Sequence, residues 1–457
     1  MKSAPKLPKG TRDFSPEVML RRNFIIDTIK SIYEKYGFQP LETPAMENLS
    51  VLMGKYGEEG DTLLYKILDS GDFLKKANEA DKQNASSLLS KISEKGLRYD
   101  LTVPFARFVA ANKNELNLPF KRYQIQPVWR ADRPQPNQGR YREFYQCDAD
   151  VVGTNSLICE LEIIQIINEV LPALGVENFS IKINHREILR SISQWVGKAG
   201  NEADLAVAID KIDKIGWDGV QNELKEKGFD QNAIDKIGSL ISIEGNIADK
   251  IKHLTPLLLD DNGKKGLSDL ETLMRFIERS SLNNHHLSFD LSLARGLSYY
   301  TGIIFEVIIP DTGIGSVSGG GRYDNLTEVF GVKDSPGVGF SFGIDRLYDC
   351  MAALGLFEQI KTRTSTVLLV HFDETSLMYG LELVAELRKS NIAAELYPDL
   401  AKLKKQIQYA DKKNIPYVLF IGSNEIESGI FNVKNLANGE EQKIRKENLN
   451  EFFSLFN

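Results

Sequence analysis

The stretch YQIQPVWRADRPQPNQGRYREFYQCDAD, residues 123–150, decides the fold. Residues 123–129 and 141–152 are strand-like. Arg133-Pro134-Gln135-Pro136-Asn137-Gln138-Gly139 between them is a polar run that no strand would contain, so the segment reads as an antiparallel hairpin. Successive strand side chains point to opposite faces, which groups Phe144, Gln146, Asp148 and Asp150 with Arg142. An aromatic ring, an amide and two carboxylates make a poor core face. Either the face is solvated, as in many amphipathic hairpins, or it floors a site for a polar ligand. Arg130 ends the first strand, and Arg133, Arg140 and Arg142 flank the loop. Guanidinium groups suit bidentate phosphate contacts.

Upstream, Ser15-Pro16 marks a helix start, and Ile25, Ile29, Ile32 and Tyr36 recur at helical spacing until Gly37. Residues 37–46 read as extended, kept from a sheet centre by Pro40 and Pro44. Residues 70–95, rich in Lys, Asn, Asp and Ser, read as a surface excursion with a short helix, and 98–104 as β-like. Downstream, 156–171 is predicted helical, and 186–282 reads as an inserted helical module. Strand character returns at 287–293 and 299–309, before a glycine cluster and a helix over 343–354. Beyond about Lys361, strands at 366–371, 394–397 and 417–421 alternate with helices, which implies a separate α/β domain.

A chain of 457 residues suits two or three domains, and 42% hydrophobic with 26% charged residues is globular and soluble in character. No run of about 18 apolar residues is present to span a membrane. The N-terminus, with Pro5, Pro8 and Gly10 among lysines, has no apolar core and is not expected to be a signal peptide. Cys147, Cys159 and Cys350 are odd in number and scattered. They give neither a disulfide framework nor a zinc spacing, and point to a reducing cytoplasm. A net charge of −7 weighs against nucleic acid but leaves room for a local basic face. Lys402, Lys404, Lys405, Lys412 and Lys413 cluster in the tail, as a solvated helix face or a nucleic-acid contact.

Further segments bear on chemistry. LARGLSYYTG, residues 293–302, sets Arg295 beside Gly296 and offers the hydroxyls of Tyr299 and Tyr300. SGGGRYDNL, residues 318–326, reads as a glycine-rich loop that permits close backbone approach to a ligand, and contains Tyr323. GVGFSFGIDR, residues 337–346, is spaced G-x-G-x-x-x-G with no ribose-binding acid to follow, so a dinucleotide fold is rejected.

In order and in type these segments resemble the class II aminoacyl-tRNA synthetases, with motif 1 around Pro44, motif 2 at 123–150 and motif 3 at 337–346. LARGLSYYTG and SGGGRYDNL are similar to the two signatures of the histidyl-tRNA synthetase family, and YDLTVPFARF, residues 99–108, resembles its eukaryotic-like branch. The resemblance implies an α/β and α+β multidomain protein. An antiparallel-sheet catalytic domain at 1–185 and 283–358 would be interrupted by a helical insertion at 186–282 and followed by a C-terminal α/β anticodon-binding domain at 363–457. It implies activation of L-histidine by ATP with Mg2+, transfer to the 3' end of tRNA(His), a cytoplasmic homodimer, and no zinc or membrane.

By the same resemblance, Arg130 holds the α-phosphate of ATP and the substrate carboxylate, Arg140 a γ-phosphate and Phe144 the adenine. Arg346 is the motif 3 arginine. Asp100 and Thr102 bind the α-amino group; Gln146, Asp150 and Tyr300 surround the imidazole; Tyr299 and Tyr323 line the pocket. Arg295 is the family's catalytic arginine. Relative to the bacterial branch the 133–140 loop is slightly longer, and residues 70–95 are an insertion with no functional account. A non-catalytic relative, the regulatory subunit of ATP phosphoribosyltransferase, usually lacks the tail and the ATP-site arginines. A synthetase for another amino acid is opposed by the two histidine signatures.

Overall fold

The structure, a computed structural model, describes residues 5–280, 282, 285–294, 299–358, 360 and 364–456. It divides into two compact units, one of Met1–Asp13 with Arg22–Glu358, the other of Phe14–Arg21 with Gln359–Asn457.

The first unit is built on an eight-stranded sheet. Its strands are β1 (Gln39–Pro40), β2 (Phe120–Trp129), β3 (Glu143–Val152), β4 (Ser180–His185), β5 (Leu287–Phe289), β6 (Ile303–Ile308), β7 (Ser318–Tyr323) and β8 (Gly337–Gly343). Their order is β1-β2-β3-β8-β7-β6-β4-β5, with parallel pairs at the two ends and antiparallel pairs between. Pro40 sits on the edge strand, where its missing N–H costs no ladder bond. The β2–β3 hairpin sets Arg122 opposite Asp150, Gln124 opposite Asp148 and Gln126 opposite Gln146. The intervening residues Cys147, Ala149 and Val151 are buried on the other, apolar face.

Helix α1 (Pro16–Lys35) starts where Ser15-Pro16 predicted, buries Ile25, Ile29, Ile32 and Tyr33, and is followed by Gly37 at φ 80°. The Tyr33 hydroxyl donates to the Cys147 carbonyl at 2.9 Å, which ties α1 to β3. Helix α3 (Ile158–Ala173) buries Ile163, Ile164, Ile166, Ile167, Val170 and Leu171, each side chain contributing about 1.5–3 kcal/mol. Between β4 and β5, residues 186–279 form six helices from Arg186–Trp195 to Asp261–Arg279. The last of these packs on the first and on α3.

Several local expectations change. Residues 98–104 are not a strand: the strand is Lys95–Leu97, and α2 (Thr102–Ala111) begins at once. Pro104 falls in the first turn, where its missing N–H is an orphan in any case, so it permits the helix. The 70–95 excursion holds two short helices, Glu79–Lys82 and Ala85–Ile92, each capped by an asparagine, Asn78 and Asn84. The strand expected over 287–293 ends at Phe289. The glycine cluster is not a loop; it is the central strand β7. A Cβ on Gly320 would lie 2.2 Å from the Gly339 carbonyl oxygen and 2.5 Å from the Phe340 Cα.

In the second unit the strands run Ala394–Leu396, Val367–His371, Tyr417–Ile421, Ile430–Asn435, Glu441–Arg445 across one sheet. The first three are parallel and the last two antiparallel, so a hairpin extends the three strands expected. Leu369, Leu383, Leu387, Leu419 and Phe431 centre its core.

Because backbone lies on the path of any side chain at position 320, Gly320→Ala should cost about 1–3 kcal/mol or more. A thermal unfolding midpoint equal to that of the parent chain would contradict this.

Candidate functional site

Two cavities open on the polar face of the hairpin. One, of about 250 Å³, is bordered by Asp100, Thr102, Gln146, Asp148, Asp150, Tyr299, Tyr300 and Tyr323. The other, of about 390 Å³, is bordered by Arg140, Phe144 and Arg346. They meet along shared walls at Arg130, Gln146, Ser316, Gly319 and Ser341.

Asp100 stands just ahead of α2 and is 1% exposed. Its Oδ1 accepts the Val103 N–H at 3.1 Å, capping the helix, and the Tyr56 hydroxyl at 3.0 Å. Its Oδ2 accepts the Tyr299 hydroxyl at 3.1 Å. Burial raises the Asp100 carboxyl above its ordinary value, and holds Tyr56 and Tyr299 protonated as donors. Arg98 beneath is fixed by the carbonyls of Pro127 and Thr43 and by Gln126.

At the far end of the cavity, Asp150 Oδ1 accepts the Tyr323 hydroxyl at 2.7 Å, and Oδ2 lies 2.8 Å from Nη2 of the fully buried Arg122. Asp148 lies 3.9 Å from the same guanidinium. Arg122 also donates to the Leu101 carbonyl and stacks over Phe105 at 4.3 Å. Burial pushes the Asp148 carboxyl up to about 7, with Arg122 opposing and Asp150 reinforcing the rise. Asp150 rises from burial too, with Arg122 and Tyr323 opposing. A Cβ on Gly339 would lie 2.1 Å from Asp150 Oδ1, so the bare glycine makes room for this carboxylate.

Arg130 stands where the cavities meet. Its Nε donates to the Tyr99 carbonyl at 3.1 Å, and its guanidinium lies 4.3 Å from the Tyr99 ring and 5.2 Å from the Phe144 ring. Arg346, in the first turn of α4 (Ile344–Ala353), donates to the Ser316 carbonyl at 2.6 Å and to the Gly139 carbonyl at 3.3 Å. It thereby ties the hairpin loop to the sheet. Its neighbour Asp345 accepts from Arg22 at 2.7 Å, from Arg12 and from the Tyr145 N–H at 2.9 Å.

The structure thus gathers Asp100, Thr102, Arg130, Gln146, Asp150, Tyr299, Tyr300 and Tyr323 around one cavity, and Arg130, Arg140, Phe144 and Arg346 around the other. Arg295 lies outside the described residues; Leu293 and Tyr299, on either side of it, border the first cavity. Sequence reasoning named the Asp148 face but gave Asp148 no role, and missed Arg122 and Tyr56. A signal for Arg122 existed: Arg122, Gln124 and Gln126 alternate on their strand as Gln146, Asp148 and Asp150 do on theirs.

A family model described as Histidyl-tRNA synthetase matches residues 72–347, and one described as Anticodon binding domain matches 365–454. The chain is 54% identical to a histidine–tRNA ligase of Cytophaga hutchinsonii, over 96% of this chain and 97% of that protein. It is 51% identical to that of Christiangramia forsetii, over 97% and 98%. A crystal structure of histidyl-tRNA synthetase from Nostoc sp. PCC 7120 superposes with a TM-score of 0.84 at 30% identity, covering 100% of both chains. An ATP phosphoribosyltransferase regulatory subunit/histidyl-tRNA synthetase from Bacillus halodurans, at 23% identity and TM-score 0.72 over 91% and 97%, shares the fold.

Two buried carboxylates facing one guanidinium make the site sensitive to pH. The folded-state value of Asp148, about 7, stands above its ordinary 3.8, so its stabilising contribution is complete below about pH 4 and is lost as pH rises through 7. Ligand-free protein should therefore lose on the order of a few kcal/mol between pH 5 and 8, and Asp148→Asn should flatten that dependence. Unfolding midpoints of both proteins across this range check it; parallel curves would refute it.

Proposed function

The chain belongs to the histidyl-tRNA synthetase family, and from that premise we propose that its two adjoining cavities are where L-histidine and ATP react. As a histidine–tRNA ligase it charges tRNA(His) with histidine. The observation that carries the reading is the meeting of a carboxylate-and-tyrosine cavity with an arginine-and-phenylalanine cavity at Arg130.

In this reading Asp100 and Thr102 take the α-ammonium group, and Gln146, Asp150 and Tyr300 surround the ring, with Tyr299 and Tyr323 as supporting hydroxyls. Phe144 stacks on adenine, while Arg140 and Arg346 face the phosphates. A substrate carboxylate oxygen attacks the α-phosphorus, and pyrophosphate leaves. The nucleophile is already ionised, so no general base is required. Catalysis is alignment and charge neutralisation by Arg130 and Arg295, helped by magnesium that arrives as part of the ATP substrate. The adenylate then passes histidine to the 3' end of the tRNA. Among the described residues no group of three His, Cys, Asp or Glu side chains could hold a metal ion.

The catalytic domain in this reading is 1–185 with 283–358, broken by the 186–282 insertion. Residues 363–457 bind the anticodon end. Lys402, Lys404, Lys405 and Lys412 are exposed and suit phosphate contact, whereas Lys413 is held 2.7 Å from Glu395. Among the described residues no helix is long and apolar enough to cross a membrane, and Cys147, Cys159 and Cys350 are free and buried, which favours a cytoplasmic enzyme. The regulatory-subunit alternative is disfavoured by the tail and by Arg130, Arg140 and Arg346 around one cavity.

Histidine alone among the twenty amino acids should support ATP–pyrophosphate exchange; exchange driven by another amino acid, or none, would sink the proposal. Arg130→Ala should lower the exchange rate roughly 10²–10³-fold. Arg295→Ala should lose most adenylation while calorimetry still registers histidine binding. Unchanged turnover would refute either role. The family resemblance also implies a homodimer through the Pro44 segment, for which light scattering should give the mass of two chains and not one.

A further inference from the structure

Strands β4 and β5 run parallel, and their backbone ladder continues one step past β5, where the Asp290 N–H donates to the Ile183 carbonyl at 2.9 Å. There the chain turns. Asp290 Oδ1 accepts the Ser292 N–H at 2.9 Å and the Ser292 hydroxyl at 2.6 Å, and the Leu293 N–H donates to the Asp290 carbonyl at 3.1 Å. Residues 291–294 thus leave the ladder, while Leu291, Leu293 and Ala294 stay buried. Buried carbonyls need partners, and here side chains supply them.

Those side chains come from alternate positions along β4 and its end. Lys182 Nζ lies 2.8 Å from Asp290 Oδ2, and 3.6 Å from Asp213 of the insertion. Asn184 Nδ2 donates to the Leu293 carbonyl at 2.8 Å and to that of Leu291 at 3.4 Å. Arg186, the first residue after β4, donates from Nη1 to the Ala294 carbonyl at 2.9 Å. The period of two therefore gives three rungs, which meet Asp290, Leu291 with Leu293, and Ala294 in that order. The Arg186 backbone N–H adds a further grip, donating to the Gly302 carbonyl at 2.9 Å. One residue thus holds the chain at Ala294 and again at Gly302. Side chains that only had to fill this space could be apolar. Hydrogen bonds weaken steeply off their axis, so these fix a position where apolar contacts would let it slide.

The position matters because Leu293 borders the amino-acid cavity and Arg295 follows Ala294 directly in the chain. We propose that Lys182, Asn184 and Arg186 are positioning residues for adenylation, holding residues 290–294 so that Arg295 acts on the α-phosphate. A misplacement of about 1 Å in such a group costs on the order of 10²-fold in rate. The inference rests on the proposed function, since it takes Arg295 to be the arginine that acts there.

The test is a double-mutant cycle in histidine-dependent ATP–pyrophosphate exchange. Arg186→Met keeps an apolar stem and loses the side-chain donor; it should lower kcat roughly 10–100-fold. The KM values for histidine and ATP should stay within about threefold of wild type, since the loss falls on the transition state. Arg186→Lys, which can still donate to the Ala294 carbonyl, should recover most of the rate. In the Arg295→Ala background, Arg186→Met should lower kcat by less than roughly threefold, because residues that act through one another are not additive. Equal losses in both backgrounds would show that Arg186 serves the fold alone and would overturn the proposal. A raised KM with kcat unchanged would overturn it too. Lys182→Met, at the partly exposed end of the ladder, carries the same cycle should Arg186→Met fail to fold, and its loss should likewise vanish without Arg295. An Arg295→Ala chain with wild-type exchange would instead remove the functional reading of Arg295, and this proposal with it.

Discussion

The contact of Arg122 with Asp150 and Asp148 is the constraint on which the rest of this site depends. A guanidinium with no exposure faces two carboxylates that are each 2% exposed. Taking such ions from water costs several kcal/mol apiece, and only close pairing and further hydrogen bonds recover it. Here the recovery comes from the 2.8 Å approach to Asp150, the Leu101 carbonyl and the Tyr323 hydroxyl. The pairing also fixes the hairpin register. A slip of one residue would turn Asp148 and Asp150 onto the apolar face that α1 covers, where no partner waits.

Given that register, the neighbouring strands have to yield space on the polar side. Gly339 lies directly opposite Asp150, and Gly337 opposite Tyr323, so the side-chain volume absent from β8 is filled by the two groups that bond to each other. A second buried ion pair, Arg322 with Glu160 at 2.6 Å, anchors β7 to α3. Polar strain on one face of the sheet is thus carried by apolar helices on the other. The isoleucines of α3 supply burial energy that the ligand-facing side cannot.

How legible this was varies with the physics of each element. The hairpin, α1 and α3 could be read because period two and period 3.6 leave plain marks in a single sequence. Residues 98–104 were misread because Val103, Pro104 and Phe105 look extended when helix propensity is considered without the cap that Asp100 supplies. The glycine strand was misread because local propensity argues against it. Only the long-range demand for bare backbone between β6 and β8 makes three glycines a strand. Asp100, Gln146, Asp150 and the arginines were named by resemblance, and those among the described residues border the two cavities. Arg122 was passed over because one arginine on a strand is ordinarily a surface residue. Its burial follows from Asp148 and Asp150, which lie nearly thirty residues away in sequence.

Arg130 raises the complementary question of why a cation that shares a cavity with Asp100, Asp148 and Asp150 does not collapse onto them. It is held away by the Tyr99 carbonyl and by two aromatic faces, and among the described residues it makes no ion pair. Those rings attract the guanidinium without neutralising it. The positive charge therefore stays directed at the junction of the cavities, where, on the proposed reading, a carboxylate must approach a phosphate of like sign. Had Arg130 paired with Asp100, binding would first have to break that pair, and its cost would fall on the reaction. A preorganised cation does not have to move as charge develops, which is where electrostatic catalysis has its advantage. The same economy applies to selectivity: a buried polar wall penalises every apolar side chain by leaving its groups unpaired, so discrimination of about 10⁴ or more is within reach of binding alone.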